Sequence, residues 1–116
     1  MKILYLSVGQ RKPLIEMSIT GSISVIRQLI GAAELKQTLF YCFGKPVRVF
    51  YDGNRLNQPP IISVFSVRDE RTVSGNVVLV GEEKQDGTFA GLTDEEIKNI
   101  RSCTMLSQGY YFLMLK

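Results

Sequence analysis

Histidine is missing from all 116 residues of the chain. It is the side chain most often used as a general base near neutral pH, and it is the commonest neutral ligand of metal ions. A Ser-His-Asp or Cys-His nucleophile therefore cannot be built within one copy of this chain. Carboxylates could still act as catalytic acids or bases. However, helix capping accounts for the presence of Asp94, Glu95 and Glu96. We expect a protein that is not an enzyme and has no catalytic residues.

Cysteine is scarce, with only Cys42 and Cys103 in the chain. Neither has the spacing of a metal ligand, and two cysteines do not make a disulfide framework. Cys42 lies in the apolar run 39–43 and is expected in the core. The apolar stretch 3–8 is too short for a signal peptide, and no stretch approaches the roughly 20 apolar residues of a membrane span. We expect a cytoplasmic protein with reduced thiols, no metal, no cofactor and no membrane contact.

Size and composition predict one soluble globular domain spanning residues 1–116, with 45% hydrophobic and 22% charged residues. The net charge of +3 is unevenly distributed. Residues 1–55 carry eight basic and three acidic side chains, whereas the remainder carries six basic and eight acidic ones. A basic N-terminal half is suited to an anionic ligand, such as a nucleotide, a nucleic acid or an acidic protein face. The alternative is a solvated surface with scattered charges.

The first half of the chain has the pattern of a β-hairpin followed by a short helix. Residues 2–8 and 14–19 are expected as strands around a polar turn at 9–13, because the second run alternates apolar and polar side chains. The apolar spacing that begins at Ile23 is typical of one helix face. Ser22 is the expected N-cap, and Gly31 is the expected stop.

The second half is richer in strand patterns. Runs 39–43 and 47–51 are apolar or aromatic and are expected as a second hairpin around residues 44–46, followed by a loop at 54–60. Residues 72–80 give the clearest strand pattern, and residues 109–115 predict a last one. Residues 93–96, Thr-Asp-Glu-Glu, form a capping box for a second helix. The sequence thus predicts an α+β fold, a mostly antiparallel sheet with two short helices on one face.

One segment, residues 45–58, interleaves basic, aromatic and amide side chains over a strand and a loop. Arginine offers a planar donor fork for phosphate, tyrosine a stacking face, and amides can recognise base edges. The alternative is an amphipathic strand whose polar face is merely solvated. We predict that this segment binds an anionic ligand through Lys45, Arg48, Tyr51, Asn54, Arg55 and Gln58.

Three stretches carry a resemblance to a known family. They are a Gly-x-x-x-Pro turn at 9–13 before a strand and a helix ending in Gly31, the stretch Asp-Gly-Asn-Arg-Leu-Asn-Gln-Pro-Pro at 52–60, and the glycine-containing region 75–97. Over roughly residues 2–102 the chain resembles a family of small phage and mobile-element proteins classed as a domain of unknown function. It departs from the family at 31–33, where a glycine pair is usual, and in the tail 103–116. The family has no established catalytic residues to carry over.

The resemblance implies a phage accessory protein, and many such proteins counter host defence. Our leading hypothesis is a non-enzymatic protein of the host cell cytoplasm that sequesters an anionic cyclic nucleotide second messenger. A homo-oligomer is expected, because a groove between subunits lets a small protein enclose a ligand. One alternative is an inhibitor that binds a host enzyme or defence effector, which predicts an exposed apolar patch. Another is a weak DNA-binding accessory protein, which predicts binding that depends steeply on salt.

Overall fold

The computed structural model describes residues 1–6, 14–20, 22–55, 63–66, 72–107 and 110–115. The predicted opening hairpin, the first helix, the second hairpin, the second helix and the last strand are all confirmed. The elements in chain order are β1 (Lys2–Leu6), β2 (Leu14–Ser18), α1 (Ile23–Ile30), β3 (Leu35–Cys42), β4 (Lys45–Asp52), a 3-10 turn (Gly53–Arg55), β5 (Ser63–Ser66), β6 (Thr72–Ser74), β7 (Val77–Val80), α2 (Asp94–Ser102), β8 (Thr104–Ser107) and β9 (Tyr110–Leu115).

The strands form two sheets. The first sheet has the order β2-β1-β7-β4-β3, and all its pairings are antiparallel. The second has the order β6-β5-β9-β8, in which β5 and β9 run parallel and the other pairings are antiparallel. The predicted α+β fold with mostly antiparallel pairing is confirmed. Division of the strands between two sheets was not foreseen.

The prediction of one continuous strand over residues 72–80 is wrong. β6 belongs to the second sheet and β7 to the first, so the chain changes sheets between them. Gly75 makes this crossing possible with a φ of 92°, a left-handed value that side-chain-bearing residues rarely adopt. Ser74, Gly75 and Asn76 are turn-forming residues and were the sequence signal for this break, which the β-branched residues on either side concealed.

Both helix starts follow the sequence signals. The Ser22 side chain accepts a hydrogen bond from the Ser24 amide, and Gly31 ends α1 in the left-handed region with a φ of 71°. At α2 the capping box is complete, because Thr93 Oγ1 accepts from the Glu96 amide at 3.1 Å and Glu96 Oε1 accepts from the Thr93 amide at 3.0 Å. Each of these two capping-box hydrogen bonds satisfies one backbone N–H donor at the start of the helix.

Two cores lie on opposite faces of the first sheet. β7 is buried along its whole length, and its alternate residues point to opposite faces. The inter-sheet core, shared by both sheets and α2, consists of Leu4, Leu6, Leu14, Phe40, Cys42, Val47, Val49, Val64, Val73, Val77, Leu79, Leu92, Ile97, Ile100 and Leu115. The α1 core, on the other face, consists of Ile3, Ile26, Ile30, Phe50, Val78, Val80 and Phe89. The two helices therefore pack on opposite faces, whereas the sequence placed them on one.

A small β-like hairpin follows β7. Gly81 and Ala90 form one backbone bond of 2.9 Å, Ala90 and Glu82 another of 2.8 Å, and Glu83 is bridged to Phe89. Phe89 is 6% exposed and meets the Phe50 ring edge to face, with centroids 5.2 Å apart. That contact anchors the 81–90 hairpin on the first sheet.

Candidate functional site

Three of the six residues predicted to bind a ligand, Lys45, Arg48 and Tyr51, lie on β4, and they do not share one face of it. Val47 and Val49 belong to the inter-sheet core and Tyr51 packs against it, whereas Phe50 belongs to the α1 core. Because strand side chains alternate, Lys45 shares the inter-sheet face and Arg48 lies on the other face. Lys45 and Tyr51 are also six residues apart, which is about 20 Å along a strand. A single copy of the chain therefore does not gather these side chains around one small molecule.

Arg48 already has an anionic partner. Its Nη2 lies 3.5 Å from Glu83 Oε2, and its side chain is 26% exposed. Glu83 belongs to the 81–90 hairpin, so this ion pair adds a second link between that hairpin and β4. An incoming phosphate would compete with a carboxylate that the fold already holds in place.

Asp52, at the end of β4, has a structural part in the turn that follows. It is 4% exposed, and its Oδ1 accepts from the amides of Glu34 at 3.3 Å and Asn54 at 3.0 Å. Its Oδ2 accepts from the Ala33 amide at 3.4 Å. These bonds fix the α1–β3 connection against the 3-10 turn. Asn54 is exposed on that turn, and Gln58 lies outside the described residues, as does the side chain of Arg55.

A concavity in the described part of the chain lies at the opposite end of β4. It is a groove of about 640 Å³ between the β3–β4 loop, the 81–90 hairpin and the first turns of α2. Of the predicted residues whose side chains the structure describes, only Lys45 lines it. The Phe43 groove, as we name it, is lined by Phe43, Lys45, Pro46, Glu82, Ala90, Gly91, Thr93, Glu95, Glu96 and Asn99.

Phe43 is the most unusual residue of this groove. The β3–β4 hairpin turns through only Phe43 and Gly44, because Cys42 and Lys45 are already paired. Both turn residues have positive φ, 50° and 78°, as a type I′ turn requires. Such turns favour Asn-Gly, and a bulky residue in the left-handed region costs roughly 1–2 kcal/mol. The Phe43 ring is nevertheless 67% exposed, so burial does not offset this cost.

The groove is acidic on balance. Among the described residues that line it, Glu82, Glu95 and Glu96 face a single cation, Lys45. Among the described residues, neither Glu82 nor Glu95 takes part in an ion pair. The partial positive charge at the α2 N-terminus offsets only part of this excess. Electrostatics in the groove favour a cationic group over a phosphate.

Sequence reasoning missed Phe43 because it placed the loop at residues 44–46. A two-residue loop would have put phenylalanine where asparagine is usual, and that mismatch is the signal that could have found it. Glu82 and Asn99 come from segments about 40 and 55 positions further along the chain. Only the tertiary fold brings them to the β3–β4 loop.

Comparison with protein-family models, curated proteins and solved structures finds no match. Within the described ranges, no group of three or more Cys, Asp or Glu side chains is arranged to hold a metal ion. Neither α1 nor α2 combines the length and apolar character needed to cross a bilayer.

Proposed function

We propose that this chain is a non-enzymatic protein-binding module, which docks a partner protein through the Phe43 groove and thereby inhibits it. The observation that carries the proposal is the exposed aromatic ring of Phe43 in a backbone conformation that costs stability. Residues held in such conformations concentrate at binding and active sites. Exposed aromatic anchors beside a concave surface are also typical of interface hot spots.

Charge indicates the kind of partner. Two exposed carboxylates, Glu82 and Glu95, border the groove, and Phe43 with Pro46 gives it an apolar rim. A segment that presents an apolar side chain next to a lysine or arginine would complement both features. We infer a basic and aromatic or aliphatic segment of a partner protein in the host cytoplasm. Inhibition of a host enzyme or defence effector is the biological role that this proposal favours.

Cyclic nucleotide sequestration is the second candidate, and one observation favours it. Tyr51 lies directly opposite Lys36 in the β3–β4 register, and the exposed Asn54 follows in the 3-10 turn. A stacking face, a cation and an amide therefore lie at the same end of β4. Enclosure of a nucleotide there would require a second copy of the chain.

Selection from a random peptide library displayed on a carrier, with the purified full chain as bait, tests the proposed module. We expect enriched peptides that combine basic and large apolar residues. Their binding should be lost in Phe43→Asn and kept in Ile23→Ala, since Ile23 is also exposed, at 43%, but lies outside the groove. Enriched peptides that bind Phe43→Asn as well as the wild type would refute the assignment.

A thermal-shift panel of cyclic di- and trinucleotides tests the second candidate in parallel. A ligand that binds only the native state raises the melting temperature by mass action. A rise that depends on Tyr51 and Asn54, combined with no peptide enrichment, would replace the protein-binding proposal with nucleotide sequestration. No rise with any nucleotide would eliminate the second candidate.

A further inference from the structure

The two cysteines of the chain, far apart in sequence, meet in the fold. Cys42 Sγ and Cys103 Sγ lie 3.9 Å apart although the residues are 61 positions apart. Both are free thiols, with Cys42 buried and Cys103 half-buried. Cys42 is the last residue of β3, and Cys103 is the C-cap of α2. This contact joins the strand that leads to Phe43 with the helix that forms the other side of the groove.

We propose that Cys42 and Cys103 form a dithiol modification site, at which a low-molecular-weight disulfide installs an intramolecular disulfide bond. A disulfide has an S–S length of about 2.05 Å, so the sulfurs must approach by about 2 Å. The Cys103 side chain stands at a helix terminus, where side-chain rotation together with a small shift of the last turn would close this gap. The proposal concerns the thiols alone and does not depend on what binds in the groove.

Exposure determines the order of the two exchange steps. The Cys103 thiolate attacks one sulfur of the small disulfide, which breaks its S–S bond and releases one thiolate that takes up a proton. Cys42, after losing its proton to solvent, attacks the Cys103 sulfur of this mixed disulfide and releases the second small thiol. The two protein thiols are oxidised, and the small disulfide is reduced to two thiols. Burial of Cys42 prevents it from being the first thiol to attack the small disulfide.

The location gives the bond a structural consequence. Cys42 borders a cleft too narrow for a water molecule together with Lys45, Glu96 and Asn99, and these three residues also line the Phe43 groove. A disulfide there would fix the β3–β4 hairpin to the last turn of α2. The separation of the two walls of the groove would then be set by a covalent bond.

Incubation of the full chain with oxidised glutathione, followed by intact-mass analysis and a non-reducing gel, tests the site. We expect a monomer that has lost two hydrogens and carries no glutathione. Cys42→Ser should instead accumulate glutathione on Cys103, and Cys103→Ser should react at least tenfold more slowly than the wild type. Circular dichroism before treatment confirms that each variant is folded, and Cys42→Ala serves as a second variant for the buried position.

Three results would overturn the proposal. They are a stable glutathione adduct on wild-type Cys103, a disulfide-linked dimer as the main product, and two thiols that stay free in the folded wild type under conditions that modify Cys103 in Cys42→Ser. Each would mean that the 3.9 Å contact does not convert into a bond within one chain.

Discussion

The Arg48 guanidinium and the Glu83 carboxylate are 3.5 Å apart, on the face of the first sheet that carries the α1 core. This ion pair gives Arg48 a structural partner, and the alternation of side chains along β4 places Lys45 on the opposite face. It also fastens the 81–90 hairpin to β4, and that hairpin supplies one wall of the Phe43 groove. The pair thus supports the groove without itself lining it.

Truncation of two phenylalanines of the chain should change the free energy of unfolding by very different amounts. Phe89 is 6% exposed and packs on Phe50, so Phe89→Ala should lower the free energy of unfolding by about 3 kcal/mol through lost burial. Phe43→Ala removes a ring that is 67% exposed and should change stability by less than about 0.5 kcal/mol. Urea denaturation of both variants measures the difference. Equal losses would show that Phe43 is a core residue.

Asp52 should stabilise the fold through the carboxylate oxygens that accept hydrogen bonds from backbone amides. Asp52→Ala leaves three backbone amides without their acceptor and should cost about 2 kcal/mol. Asp52→Asn keeps one oxygen that can serve the amides of Glu34 and Asn54, and it should cost about half as much. Denaturant midpoints of the two variants give the comparison. If Asp52→Asn were as damaging as Asp52→Ala, charge would matter more than bond geometry.

Alkaline pH should lower the free energy of unfolding through ionisation of the Cys42 thiol. Burial, with smaller contributions from Cys103 and Glu96, raises the pKa of the Cys42 thiol from 9.0 to about 12. The folded state therefore keeps this proton between pH 9 and 12 while the unfolded state loses it. The stabilising effect is complete below pH 9 and is lost as the pH rises toward 12.

The free energy of unfolding of the reduced wild type should accordingly fall more steeply above pH 9 than that of Cys42→Ser, whose hydroxyl does not titrate in this range. Denaturation series at several pH values between 8 and 10.5, in the presence of a reductant, give the slope of the free energy of unfolding against pH for both proteins. Parallel slopes would mean that the thiol is not held in its neutral form by the fold.

Local signals in the sequence predicted much of the fold. The capping box at Thr93, the N-cap Ser22 and the stop at Gly31 were found because each depends on neighbouring residues alone. The change of sheet at Gly75 was missed, because β-branched residues occur on both sides of the turn and look like one strand. The position of α2 opposite α1 depends on which face of β7 each helix covers, and periodicity within a helix does not encode that choice.

The candidate site was less predictable than the fold. Interleaved polar residues in β4 suggested a binding strand, but a period of two sends Arg48 to one face and Lys45 to the other. The groove instead joins Phe43 to Glu82 and Asn99, and the contact between Cys42 and Cys103 is equally remote in sequence. Such juxtapositions arise from long-range pairing and are not visible in any local pattern.

Salt dependence should reveal whether the groove carboxylates attract a basic partner. The double variant Glu82→Gln and Glu95→Gln should weaken binding of a selected basic peptide several-fold at low ionic strength, and the difference should shrink at high salt. Glu34→Gln is the matched control, since Glu34 is exposed and pairs with Lys36 at a distance from the groove. Isothermal titration calorimetry at two salt concentrations gives the dissociation constants of the peptide for each variant. An identical loss in Glu34→Gln would indicate a nonspecific charge effect.

The paired effect of Phe43→Asn on stability and binding tests the central claim most directly. Asparagine tolerates the left-handed conformation and suits a type I′ turn, so this variant should gain about 1 kcal/mol in the free energy of unfolding. The same variant should lose at least about tenfold in affinity for a library-selected peptide, equivalent to about 1.4 kcal/mol. A more stable protein that binds more weakly would show that Phe43 is kept for docking at the expense of the fold. Unchanged affinity in a stabilised variant would contradict the account.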